Sequence, residues 1–197
     1  MENPQFVKVK NKRYKINTDF RVGLKCDKVA KDKEIDDSER ALAIIYLLYG
    51  EEGLNSYEDW EDLIKLGQKY LLLGEERKTE NKENTKPDFD FEKDKKYIRT
   101  SFIQDYKYNP YEKEYLHWWD FWNDLNGLSN SEFGNCCILN RIRNLRNFDL
   151  RTIKDPKERN KIAKAQKEVA LEKEEVKLTE KQEESIERFY AEMNLSK

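Results

Sequence analysis

The chain has 197 residues, and its 38 Lys and Arg against 40 Asp and Glu leave a formal net charge of −2, so no global field draws it to nucleic acid or to an anionic membrane. Hydrophobic residues make up 37% and charged residues 40%, which predicts a modest core beneath long solvated helices. The longest apolar run, Ala41 to Tyr49, falls far short of the ~20 residues of a membrane span, Met1 leads into polar residues rather than a secretory signal, and three cysteines, Cys26, Cys136 and Cys137, without CxxC spacing argue against a disulfide framework.

Taken in order, Phe6 to Asn17 alternate apolar and polar residues around Asn11-Lys12, which predicts a short β-hairpin. Thr18 or Asp19 caps a helix carrying Phe20, Leu24 and Val29. Asp36, Asp37 and Ser38 open a second helix through Leu42, Ile45, Leu48 and Tyr49, closed by Gly50 and Gly53. Ser56 precedes a third, with Trp60, Leu63, Ile64, Gly67 and Leu71 on one face and Gly74 past its end. Glu75 to Asp90 is charged, nearly free of apolar side chains and contains Pro87, which reads as a linker.

Beyond it, a helix carries Tyr97, Ile98, Phe102, Ile103 and Tyr106 up to the break at Asn109-Pro110. The densest apolar element is expected from about Glu112 to Leu125, and another helix from about Ser131 to Arg143. Pro156 suits the first turn of a helix running through Val176. Thr179 and Gln182 form a capping box before Ile186, Phe189, Tyr190 and Met193, an amphipathic stripe. The fold expected is mainly α: a helical bundle with a small N-terminal β-hairpin and an extended C-terminal helical region. Its parts are an N-terminal lobe over 1–75, a charged flexible linker over 76–90, an aromatic-rich helical lobe over 91–177 and a C-terminal amphipathic helix over 178–197.

Chemistry has little to build on. His117 is the only histidine, which rules out a His-rich metal site and leaves any imidazole base resting on one residue beside Trp118 and Trp119, where packing or capping is the plainer role. No GxSxG, Walker or GxGxxG pattern occurs. The reading is therefore of a protein that is not an enzyme, with no catalytic, cofactor-binding or metal residues.

Protein–protein contact is the alternative use of such residues. Trp118, Phe121, Trp122 and Leu125 share one helical face with Trp119 on its flank, which serves either a core or an interaction groove. Asp36 to Asp62 holds nine acids against one base, whereas Arg141 to Lys161 holds eight bases against three acids. Such opposite patches permit head-to-tail self-association; the alternative is that both are solvated faces or pair within a subunit. Nucleic-acid binding lacks the interleaved stacking aromatics it needs. The candidate interaction residues are Arg141, Arg143, Arg146, Trp118, Trp119, Trp122, Phe189 and Tyr190.

The run Tyr115-Leu116-His117-Trp118-Trp119, with Phe121, Leu125, Asn126-Gly127-Leu128-Ser129 and Phe133-Gly134, resembles the central signature of the bacteriophage gene-product-fifteen family. Asp149-Leu150, Ile153-Lys154-Asp155 and Glu158-Arg159 resemble its second signature, and Tyr14-Lys15-Ile16-Asn17-Thr18-Asp19-Phe20-Arg21 its opening. The resemblance covers roughly Phe6 to Val176. It implies a tail assembly chaperone of siphophages and prophages of Gram-positive bacteria, acting in the host bacterial cytoplasm. Such a chaperone would coat the tape measure protein, recruit tail tube protein, and form a homo-oligomer. It implies no cofactor and no catalytic residues, and the charge and hydropathy read above give no nucleic-acid or membrane partner. A rival reading is a phage-encoded regulatory or inhibitory module acting on a host protein, with the C-terminal helix as its recognition element.

Overall fold

In the computed structural model, which describes residues 3–75, 88–130 and 136–171, the opening alternation forms the expected hairpin. Strand β1 (Phe6–Val9) pairs antiparallel with β2 (Lys12–Lys15), Val9 opposite Lys12, so Lys10 and Asn11 alone make the turn and Lys10 takes a φ of 51°. Val9 and Tyr14 point into the core. Lys10 and Lys12 turn back toward Asp59, so the turn is pinned to the element two helices later.

Helix α1 (Phe20–Lys31) begins at Asp19, whose carboxylate accepts from Arg21 N. Asp36 opens α2 (Asp37–Leu54) with a full capping box to Glu39. The helix is interrupted at Gly50, as expected, where φ is 65° and ψ −156°, but a further turn carries it to Leu54, one residue past Gly53. Glycine alone adopts that region without heavy strain, and at the kink the Leu48 carbonyl accepts from Asn17 N at 2.7 Å. Helix α3 (Trp60–Leu71) follows a 3-10 turn at Tyr57–Asp59 and ends through Leu73 and Gly74, both at positive φ.

Helix α4 (Lys95–Tyr106) stops at left-handed Lys107. Two boundaries in the second half differ from expectation. Helix α5 spans Trp118–Asn126 rather than starting near Glu112, because residues ahead of it are drawn into an extended bridge with the start of α1: Phe20 N donates to Leu116 O and Trp118 N to Thr18 O, each at 2.8 Å. Tertiary pairing there overrides helical periodicity. Helix α6 spans Ile138–Asn147, later than the expected Ser131 to Arg143; the Cys137 N–H is held by Ser129 O, and its sulfur caps the Asn140 N–H.

The chain divides into units over 1–148 and 149–197. The second contains α7 (Pro156–Val169), capped by Asp155 with Pro156 in its first turn as expected, but ending short of Val176. Among the described residues there are seven α-helices and one hairpin, the mainly α class predicted. The C-terminal helix expected over 178–197 lies outside the described residues.

Within the first unit the helices pack in the order α3, α2, α1, α5, α4, α6, with the hairpin on α2 and α3. Phe20 of α1, Phe121 of α5 and Phe102 of α4 stack at ring separations of 4.7 and 5.5 Å, so helices from both sides of the 76–87 segment share one aromatic core. Stacked or edge-on pairs of this kind contribute ~0.5–1.5 kcal/mol each beyond the area they bury.

Candidate interaction site

The expected linker over 76–90 ends in residues that dock. Asp88-Phe89-Asp90-Phe91-Glu92-Lys93-Asp94 runs as a strap into the first turn of α4. Its side chains go to two kinds of partner, and Asp90 caps the turn over Phe91 to Asp94 by accepting from the Glu92 and Lys93 amides.

The aromatic set enters a cradle on α5. Phe91, 8% exposed, meets Trp122 edge-on at 5.4 Å and lies 6.1 Å from Trp118 and 6.2 Å from Phe121. Phe89 meets Trp122 edge-on at 6.2 Å and Phe91 at 5.2 Å. The Trp122 indole Nε1–H is buried here with no acceptor among the described residues.

Each carboxylate of the alternation meets a base. Arg143 of α6 donates to Asp88 Oδ2 from Nε at 2.9 Å and Nη2 at 2.7 Å, while its guanidinium lies 5.1 Å from the Phe89 ring centre. Lys31 of α1 reaches Asp90 at 3.0 Å and lies 5.9 Å from the Phe91 ring centre. Burial opposes the charge on both Lys31 and Asp90, yet their hydrogen bonds prevail. The Lys31 ammonium, which also bonds Asp27, titrates above its ordinary value; Asp90, which also accepts from the Lys93 amide, titrates below its own.

Asp94 anchors the inner end. It is 1% exposed and takes a forked pair from Arg146, at 2.6 and 2.7 Å, together with the Asp90 N–H at 3.0 Å. Such two-pronged Arg–carboxylate geometry is the strong form of an ion pair. Arg146 also donates to Asp88 O, which ties both ends of the strap to one guanidinium.

The residues singled out in the sequence thus separate. Trp118, Trp122, Arg143 and Arg146 converge on the strap; Asp88, Phe89, Phe91 and Asp94 were missed, although the D-F-D-F alternation was the signal available. Arg143 and Arg146 serve internal carboxylates, and Arg141 is exposed. Trp119 belongs elsewhere: its Nε1 donates to Tyr70 O at 2.9 Å while Trp118 Nε1 donates to Leu71 O at 3.1 Å, so two adjacent indoles satisfy the last carbonyls of α3. Phe189 and Tyr190 lie outside the described residues.

His117 occupies both its nitrogens structurally. It is 3% exposed; Nδ1 accepts from Trp119 N at 3.0 Å as the N-cap of α5, and Nε2 pairs with Pro4 O at 3.2 Å. With Nδ1 an acceptor, the proton belongs on Nε2. Among the described residues no group of three or more His, Cys, Asp or Glu side chains could hold a metal, and no helix is long and apolar enough to cross a membrane.

The chain belongs to the bacteriophage Gp15 protein family, whose model matches residues 2–171. The matched span includes the hairpin, the aromatic core, the strap and α7. No curated protein and no solved structure matches it.

Proposed function

We propose that this phage protein is a non-enzymatic tail assembly chaperone that binds the tape measure protein and helps recruit tail tube subunits in the host cytoplasm. The observation that carries the reading is the family match over 2–171, together with the signature residues around His117-Trp118-Trp119. The use of side chains supports it. The aromatic residues seat helices against one another and against a short docked segment, and the single imidazole is committed to backbone groups. A helper that must release its client works through many modest contacts rather than one deep pocket.

Self-association between the acidic and basic runs is part of the proposal. Its basic side draws on Arg141, since Arg143 and Arg146 are engaged within the chain. Pull-down of the tape measure protein of the same phage, at low salt and with overlapping fragments, tests the function. Retention of at least one fragment is expected, and failure of every fragment to bind would refute it.

A further inference from the structure

We infer that the cleft formed by Trp118, Trp122, Lys31 and Arg143 is a recognition site for an extended partner segment in which aromatic residues alternate with carboxylates, and that the chain's own Asp88–Phe91 occupies it as an exchangeable stand-in. The inference goes beyond the chaperone reading and does not depend on it.

The strap has the chemistry of a peptide ligand, although Phe91 also packs as part of the core. Two phenyl rings enter an indole-lined cradle while the intervening carboxylates meet cationic side chains that also lie over those rings. Each cation therefore reads two features of one ligand, a carboxylate and a neighbouring ring. The Trp122 indole N–H is a further donor that the strap leaves unused. A partner's carbonyl or carboxylate would satisfy it, which favours exchange.

The two ends of the strap differ in how firmly they are held. At the inner end the Asp94 and Arg146 side chains are 1% and 9% exposed, whereas at the outer end those of Asp88 and Arg143 are 33% and 31% exposed. Water reaches the outer side-chain pair, so Asp88–Phe91 can leave once the Arg146 bond to Asp88 O and the Asp90–Asp94 bonds open, while the Asp94–Arg146 fork stays. The fixed inner end also selects the incoming chain. Three residues, Glu92 to Asp94, span about 10 Å when extended, too short a tether to deliver this segment into the cleft of a second copy. The occupant in trans is a different polypeptide. Beside the strap, an open groove of about 640 Å³, lined by Leu24, Phe91 and Tyr111 and by charges of both signs, Lys25, Lys28 and Lys95 with Asp27, Asp32 and Glu92, offers such a segment a place to land.

Fluorescence anisotropy of a labelled DFDFEKD peptide, titrated with the full chain, tests this. A tethered stand-in competes at an effective concentration on the order of millimolar, so the wild-type protein binds the peptide weakly. In Asp88→Asn/Phe89→Ala the stand-in is weakened, and the peptide should bind roughly tenfold or more tightly, with no comparable gain for the scrambled FDEKFDD. Adding Arg143→Glu should abolish the gain. Asp88→Asn alone is the milder variant and decides the matter if the double variant loses its cooperative melt. Equal affinity of wild type and folded variant, or equal binding of the scrambled peptide, would overturn the proposal.

Discussion

Gly23 sits where α1 crosses α5, and a methyl carbon added there would stand 2.2 Å from the Trp118 ring. Alanine ordinarily favours a helix over glycine by ~1 kcal/mol; here the collision decides the sign. Gly23→Ala should destabilise by about 1–3 kcal/mol, typical of overpacking, and a urea melt showing no loss would place the two helices farther apart. His117 illustrates the same dependence on neighbours. Its proximity to two tryptophans in sequence suggested packing or capping, and the capping role followed from its place at the head of α5. Cys26 is buried between helices, and desolvation pushes its thiol up to about 12, so it carries no thiolate near neutral pH and reacts slowly.

Among elements, the join between the strap and α6 is where one side chain matters most. Arg146→Ala leaves the Asp94 carboxylate buried and stripped of its forked partner, at a cost of about 3–5 kcal/mol. Arg146→Met with Asp94→Leu should recover most of that in thermal melts, because removing both charges removes the desolvation burden as well; a double variant no better than Arg146→Ala would contradict this. The starts of α1, α2 and α7 were legible because their signals are local: Thr18 or Asp19 for the first, Asp36 to Ser38 for the second and Pro156 for the last. The starts of α5 and α6 were not, since partners outside the helix set them: Thr18, a hundred positions away, for α5 and Ser129 for α6. The strap was hidden for a similar reason. Asp88 and Phe89 look like solvated linker until Arg143, 55 positions later, is brought beside them.

For the whole molecule, titration follows from which carboxylates are held. Asp59 lies below its ordinary value of 3.8, chiefly through the Lys10 hydrogen bond and then that of buried Tyr14, each at 2.7 Å; Asp90 is also depressed. A depressed acid adds stability that is complete above its unfolded value and disappears as pH falls through the folded one. The melting temperature should therefore hold steady down to about pH 5 and drop increasingly below pH 4. Asp59→Asn should flatten part of that acid slope, and an unchanged slope would show that the hairpin clamp contributes nothing to it.

The back-to-back bridge between Asp19 and His117 has a consequence for synthesis. Phe20 acquires neither the Leu116 carbonyl that accepts its N–H nor its stacking partner Phe121 until nearly a hundred further residues have been translated and have cleared the ribosome. The nascent N-terminal half thus waits with Phe20 and the α1 face that meets α5 uncovered, and completion of the core is timed by elongation to the arrival of the tryptophan-rich stretch.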